Sequence, residues 1–421
     1  MEPSLLALAM AFTVVGFVSL GLVTRGRSGL AEVWPACVWG VALAGAWATL
    51  RHWHPDHDPF LLPVAGLLTG MGLIMVGRLA STFLVRQTLW SLLGLGAMLA
   101  VALGLRDPPG QISGRGLRLL RRYRYTWLVG GLTLLALTLV FGVNPAGTGA
   151  RLWLGFGGLF FQPSELLKLL MVVFLASYLA EKRPLLAHMV YRVGRLRLPP
   201  LPYLGPVLLM WGFSLLLLIW QRDLGAAWLF FAVFQLMLYV TTGQARYGLL
   251  GLALFGVGAL IGYHLFYHVR LRVDIWWNPW AEASGRAFQI VQSLLAFAAG
   301  GTVGQGIGQG YPTYIPVVHS DFVFSAIGEE WGLLGTLGVM ALFALLVTRA
   351  GRIAMAARTP FRQLLAFGLA AMLGLQTLTI MAGSLKVVPL TGVTLPFVSY
   401  GGSSLVTNFT LVGLLFAIQP S

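Results

Sequence analysis

The chain has 421 residues, of which 57% are hydrophobic and only 10% charged, and its mean hydropathy is +0.82. A soluble domain carries about 25% charged residues, so this chain has too little charge to cover a water-facing surface, and a soluble fold is excluded. The net charge of +15 would suggest nucleic acid in a soluble protein. Here the basic residues gather between apolar runs, where they set membrane orientation and meet anionic lipid instead.

An apolar run of about 20 residues spans the hydrocarbon core as a helix. About twelve such runs occur, near 4–24, 31–50, 60–80, 87–105, 125–143, 163–181, 204–220, 224–242, 247–268, 322–347, 361–383 and 396–418. They are leucine-rich and continuous, not alternating, which predicts helices over a β-barrel. The first lacks a basic start and further spans follow at once, so it reads as a retained helix, not a signal peptide. Cys37, the single cysteine, falls in the second run, where a packing role is expected; it forms no intrachain disulfide. The cluster from His52 to Asp58 has the composition of a metal site but no fixed ligand spacing, and reads as a connector to a second unit.

Three basic sets follow along the chain. They are Arg106, Arg115, Arg118, Arg121, Arg122 and Arg124; Lys182, Arg183, Arg192, Arg195 and Arg197; and Arg349, Arg352, Arg358 and Arg362. With about twelve spans they share the side of the N-terminus, which the positive-inside rule makes cytoplasmic. Arg25 and Arg27 fall on the other side, a small violation. The long stretch 269–320 is then the large extracytoplasmic loop. It holds tryptophans, arginines and a glycine-rich run, 300–310, and is too aromatic and apolar for disorder. Within it, Gln289 to Phe297 is expected to form a short helix on or in the membrane. The fold expected is an all-α polytopic membrane protein.

Ionisable groups at membrane depth are costly, so each is a functional candidate. Those in this chain cluster near span ends on the outer side. In Gln162-Pro163-Ser164-Glu165-Leu166-Leu167-Lys168, proline suits a first helical turn. Ser164 and Lys168 share a face at i,i+4, with Glu165 adjacent. Read on spacing alone, Glu165 offsets the helix N-terminus and Lys168 snorkels. Gln221-Arg222-Asp223-Leu224-Gly225 reads as a tight turn held by an Arg–Asp pair, or as a cation facing an anionic substrate. His319-Ser320-Asp321-Phe322 opens a helix continuing to Glu329-Glu330, and on helix chemistry Ser320 or Asp321 is a natural N-cap. A carboxylate there could also take a proton from a substrate hydroxyl; Ser325 and Glu329 follow Asp321 at i+4 and i+8. Arg151, Arg270, Arg272 and Arg286 are outer-loop cations, each an interfacial anchor or a phosphate contact. No P-loop, HExxH, GxSxG or paired CxxC occurs, so ATP hydrolysis, zinc proteolysis and serine hydrolysis lack sequence support.

The C-terminal run from Pro389 to Ser404, with Ser399, Gly401 and Gly402, closely resembles the signature of the SEDS (shape, elongation, division and sporulation) family, the RodA/FtsW/SpoVE group. Further segments resemble that family in order. They are Leu68 to Val76, Arg86-Gln87-x-x-Trp90, Gly149 to Trp153, Gln162 to Lys168, Asp223-Leu224-Gly225, Gln289-x-x-Gln292-Ser293 with the glycine run, and His319 to Glu330. The resemblance covers 59–421 and implies a ten-helix core, with residues 1–58 as two added N-terminal helices like those of longer members from Gram-positive lineages. Two departures stand out: Thr313 where some members carry a glutamate eight residues before the aspartate, and Arg222 where the usual motif has proline.

What the resemblance implies is a peptidoglycan glycosyltransferase of the bacterial cytoplasmic membrane that polymerises lipid II at its outer face. Asp321 is then the general base, shaped by His319 and Ser320. Arg151, Lys168, Arg222, Arg270, Arg272, Gln292 and Ser293 contact substrate or pyrophosphate. Glu165, Asp223, Glu329, Ser399, Gly401 and Gly402 support them, with Glu165 orienting Lys168. A divalent cation, magnesium or manganese, is a candidate cofactor, although no complete ligand set is visible. A class B penicillin-binding protein, a single-span transpeptidase, is the implied partner, and no nucleic acid is. The alternatives are a transporter that flips lipid II and a non-catalytic scaffold of a cell-wall synthase.

Overall fold

The structure, a computed structural model, describes residues 2–26, 29–106, 115–144, 151–157, 159–188, 191–193, 196–198 and 201–419. Arg27, Gly149, Ala150 and Arg195 lie outside the described residues, as do the side chains of Arg25, Arg115, Arg192 and Arg197. In chain order the helices are α1 Glu2–Arg25, α2 Leu30–Trp53, α3 Leu61–Leu79, α4 Leu84–Gly104, α5 Arg115–Arg122, α6 Arg124–Phe141, α7 Pro163–His188 and α8 Leu201–Trp220. They continue with α9 Leu224–Thr242, α10 Ala245–Leu265, α11 Tyr267–Trp277, α12 Phe288–Gly300, α13 Val323–Ala356, α14 Pro360–Ser384 and α15 Gly402–Ile418. Short strands β1 Gly142–Val143, β2 Trp153–Phe156 and β3 Leu159–Phe161 form an antiparallel sheet in that order, and β4 Tyr191–Val193 pairs antiparallel with β5 Leu196–Leu198.

Among the described residues 10 helices are long and apolar enough to cross a membrane. Each of the expected runs falls on a helix; α8 and α15 carry the shorter apolar segments Leu208–Trp220 and Gly402–Ile418. Helix α12 realises the short helix expected inside 269–320, and α11 adds a second. One expected boundary is wrong. The run at 396–418 turns helical only at Gly402, because Phe397 sits at φ 64° and residues 389–401 form an irregular segment.

The chain divides into two compact units. The first comprises Met1–Leu103, His268–Arg349 and Gln376–Phe416; the second comprises Gly104–Tyr267, Ala350–Leu375 and Ala417–Ser421. In the first unit α3 is buried along nearly its whole length. Its glycines let neighbouring backbones come close, as small residues do between membrane helices. A Cβ on Gly70 would lie 2.1 Å from Thr13 Oγ1 of α1, and one on Gly66 2.9 Å from Leu43 of α2. Trp39 Nε1 donates to Gly66 O at 3.1 Å. The His52–Asp58 connector is a clamp: His57 Nε2 lies 2.8 Å from Glu2 Oε1, His54 Nε2 lies 2.9 Å from Phe416 O, and Arg349 Nε donates to Asp58 Oδ2 at 2.8 Å. Burial lowers and Glu2 raises the His57 pKa, and the net shift is upward. Cys37 does not pack inside; it is exposed on α2.

Helix α13 runs 34 residues, more than a bilayer needs, and it breaks at Gly332, at φ 66° and ψ −163°. Backbone groups freed in a membrane protein must find partners inside the protein. Here the glycine run supplies them. Gln305 N and Gly306 N donate to the carbonyls of Glu329 and Glu330, and Leu333 N and Leu334 N donate to Gly301 O and Thr302 O, all at 2.9–3.1 Å. A Cβ on Gly304 would meet Glu330 O at 2.3 Å, so the run is glycine-rich because backbone abuts backbone.

The second unit packs α6, α7, α8 and α9 together. Gln221 Nε2 at the end of α8 donates to Leu135 O at 2.7 Å and Thr138 Oγ1 at 2.8 Å on α6. Helix α10 leaves Leu249, Leu252, Leu254, Val257 and Leu260 exposed, a face that only lipid or a partner would cover.

Candidate active site

In the first unit the irregular C-terminal segment wraps the turn that carries Asp321. That turn closes by Ser320 N and Asp321 N donating to Val317 O at 3.1 and 3.4 Å. Two strands of contact hold it. Ser399 Oγ donates to Ser320 O at 2.5 Å while accepting from Leu395 N at 2.9 Å, and Tyr400 N donates to His319 O at 2.8 Å. Gln87 of α4 braces the brace: its Nε2 donates to Ser399 O at 3.2 Å and its Oε1 accepts from Gly401 N at 3.4 Å. The Tyr400 ring stacks on Phe83 at 4.7 Å, and His319 lies edge-on to Tyr400 at 5.6 Å. Gly402 is required by contact: a Cβ would lie 2.4 Å from the Trp90 ring.

Asp321 itself is part-buried and precedes α13, which begins at Val323. Neither Ser320 nor Asp321 is the N-cap residue; that position falls to Phe322. The Asp321 carboxylate instead accepts from Ser320 Oγ at 2.9 Å. Burial pushes its pKa above the usual carboxylate range, while the Ser320 bond and the charge of Arg272 pull the other way. His319 is held below its ordinary value by burial, which favours neutral imidazole near pH 7. Arg272 Nη1 donates to Leu390 O at 3.1 Å and Thr391 O at 3.0 Å. Gly392 follows at φ 73°, where a Cβ would stand 3.8 Å from Asp321 Oδ2. Arg270 is exposed on α11, and Gln292 is part-buried on α12.

Two expected contributors turn inward. Ser293 is fully buried; its hydroxyl lies 2.6 Å from Ser325 Oγ and donates to Ser384 O at 2.8 Å, tying α12, α13 and α14. Glu329 Oε1 accepts from Tyr311 N at 2.7 Å and fastens the end of the glycine run. Arg78, the only charged residue of α3, bonds Glu330 Oε1 at 3.0 Å and Gly310 O at 2.9 Å. Sequence reasoning passed over it, although a lone cation at the end of an apolar helix was the available signal.

In the second unit, Lys168 Nζ lies 2.8 Å from Glu165 Oε2, both buried. The expected Arg222–Asp223 pair is absent among the described residues. Asp223 Oδ2 accepts from Ser164 Oγ at 3.0 Å, and its Oδ1 caps α9 by accepting from Ala226 N at 3.1 Å. Burial raises the Asp223 pKa against these two bonds. Arg222 is exposed at φ 65°, a conformation proline cannot reach. Arg222→Gly is therefore expected to raise thermal stability in detergent by about 1 kcal/mol, and Arg222→Pro to lower it by more than that. Arg151 is exposed beside β2.

Among the described residues no group of three or more His, Cys, Asp or Glu could hold a metal ion. Asp321 offers one carboxylate, which is not a metal site by itself.

The chain matches the family model for cell cycle proteins of the FtsW, RodA and SpoVE type over residues 61–421. It is 36% identical over 388 residues to the peptidoglycan glycosyltransferase RodA of Mycobacterium leprae, covering 90% of this chain and 81% of that one. It is 37% identical over 380 residues to a probable peptidoglycan glycosyltransferase FtsW of Geobacter sulfurreducens, covering 86% and 95%. Among solved structures it is similar to the rod shape determining protein RodA of Thermus thermophilus, with TM-score 0.62 and 28% identity, covering 87% and 97%. It is also similar to a chain from a peptidoglycan synthase complex that coordinates polymerization and crosslinking, with TM-score 0.67 and 31% identity, covering 86% and 97%.

Proposed function

This chain belongs to the FtsW, RodA and SpoVE family of cell cycle proteins, and from that premise we propose how its residues build glycan strands. It is a peptidoglycan glycosyltransferase and a multi-pass protein of the bacterial cytoplasmic membrane. The substrate we assign is lipid II, whose lipid tail stays in the bilayer while its sugars stand in water. An acceptor sugar hydroxyl attacks the anomeric carbon of the donor, and undecaprenyl pyrophosphate leaves.

This reaction asks for a base at the hydroxyl and positive charge at the departing pyrophosphate. Asp321 is the base. The observation that carries this is a carboxylate whose turn is fixed by the signature segment through Ser399, Tyr400 and Gln87, and burial there raises its pKa. A raised pKa makes it a stronger proton acceptor near neutral pH. His319 and Ser320 shape the turn. In the first unit Arg270 and Arg272 are the candidate cations for pyrophosphate; Arg151, Lys168 and Arg222 keep the substrate-contact role that the family resemblance implies, with Glu165 orienting Lys168. Gln292 is a candidate sugar contact, and Ser293 acts by holding α12 in place.

The partner we assign is a class B penicillin-binding protein. Its support is the likeness to a chain from a synthase complex. The test is polymer formation from lipid II by the purified protein in detergent, with and without that transpeptidase. Glycan polymer supports the enzyme, because detergent offers no second membrane face to a transporter. No polymer in either case, with magnesium or manganese supplied, would move the assignment to a lipid II transporter.

A further inference from the structure

The second unit carries a charged cavity that glycosyl transfer does not use. It has a volume of about 530 Å³ and is lined by Arg118, Leu119, Arg121 and Arg122 of α5, Arg124 of α6 and Glu181 of α7. The lining holds four cations and one carboxylate, a net charge of +3. That carboxylate is already engaged: Arg124 Nη1 bonds Glu181 Oε2 at 2.6 Å, and Lys182 Nζ lies 3.1 Å from its Oε1. Arg124 is also held over the rings of Tyr125 and Tyr178, at 5.1 and 5.8 Å. The remaining lining cations, Arg118, Arg121 and Arg122, are exposed. Clustered guanidinium groups of this kind match the oxygens of a phosphate, which they bind by paired hydrogen bonds.

The surroundings say where that phosphate sits. Tyr123, Tyr125 and Trp127 are exposed at the start of α6, the pattern of an aromatic belt at headgroup level. Val129, Leu137, Leu139 and Val140 continue along α6 as an exposed apolar face, which lipid tails would cover. Leu119 of the lining is itself exposed and apolar. The arginine-rich loop falls on the cytoplasmic side by the positive-inside rule.

We propose that this cavity binds the phosphate headgroup of an anionic phospholipid of the cytoplasmic leaflet. The lipid docks its phosphate on Arg118, Arg121 and Arg122 and lays its tails on α6. Basic pockets on the cytoplasmic side of membrane helices are suited to such headgroups.

The test reconstitutes the full chain in phosphatidylcholine bilayers containing a minority of phosphatidylglycerol, then extracts it and counts the lipids it retains by native mass spectrometry. Wild type is expected to retain phosphatidylglycerol in preference to phosphatidylcholine. The triple variant Arg118→Gln, Arg121→Gln, Arg122→Gln is expected to lose that preference by about fivefold or more, with phosphatidylcholine retention unchanged. Arg124 is left in place because it pairs with Glu181. The matching triple lysine variant keeps the charge and is expected to keep most of the preference, and it serves as the readout if the glutamine variant does not fold. Equal preference in wild type and the glutamine variant, or a lysine variant with no preference, would overturn the site. A wild type that shows no phosphatidylglycerol preference but holds added inorganic phosphate, lost in the glutamine variant, would assign the cavity to a soluble phosphate and overturn the lipid.

Discussion

Polymerisation by Asp321→Asn is expected to fall by roughly 10²–10⁴-fold, the range for loss of a positioned general base, while the protein stays folded. Asparagine has nearly the same shape and can still accept from Ser320 Oγ, which donates to Asp321 Oδ1 at 2.9 Å. The turn itself is held by other groups, Ser399 Oγ on Ser320 O and Tyr400 N on His319 O. Stability should move in the opposite direction to activity. Burial raises the Asp321 pKa, so the folded state binds its proton more tightly than the unfolded state. The carboxylate therefore takes stability away as pH rises from the ordinary carboxylate value to the raised one, and above that the loss is complete. Asparagine removes this penalty, so the variant should melt at the same temperature or higher at neutral pH. Thermal unfolding in detergent, beside the polymerisation rate, separates a lost base from a lost fold.

Gly332→Ala is expected to destabilise the protein by more than about 3 kcal/mol and to deplete folded protein from the membrane. Two independent effects add. Gly332 lies at φ 66° and ψ −163°, a region that is essentially glycine-only. A Cβ there would also stand 2.3 Å from Gly304 N and 2.7 Å from Val303 C, and both are backbone atoms that cannot swing aside. The overlap would part the glycine run from α13 and strand the carbonyls of Glu329 and Glu330, which now accept from Gln305 N and Gly306 N. Gly338, six residues on in the same helix, has open space around its Cβ. Gly338→Ala should be neutral or mildly stabilising, and yields of the two variants compared side by side check the argument.

The spans were legible because a bilayer leaves a coarse signal: length and apolarity suffice, and helix boundaries matter little. Asp321 stood out as a candidate because charge is scarce in this chain, but helix chemistry alone reads it as a cap, and its role as a base comes from the family resemblance. The breaks were hidden. Gly332 sits in an apolar helical run, and nothing local says that the backbone groups freed on either side of it pair with residues 301–306. The segment 396–401 is apolar enough to count as span, yet Phe397 at φ 64° and the pull of Ser399 toward Ser320 keep it irregular. Long-range pairing also decided Asp223: its charge suggested its neighbour Arg222, but Ser164, far back in the chain, and the α9 N-terminus claim it. Ser293 looked like a polar group in a substrate loop, and only packing shows its hydroxyl buried against Ser325 and Ser384.

The measurement that bears most directly on the role of Asp321 is the initial rate of lipid II polymerisation by purified protein as a function of pH. With Asp321 as the base, the rate should rise about tenfold per pH unit while the carboxyl is protonated, then level off at an apparent pKa above the ordinary carboxylate value of about 4, and the residual rate of Asp321→Asn should lack that rise. A wild-type rate that does not change over this range, or an identical rise in Asp321→Asn, would contradict the assignment.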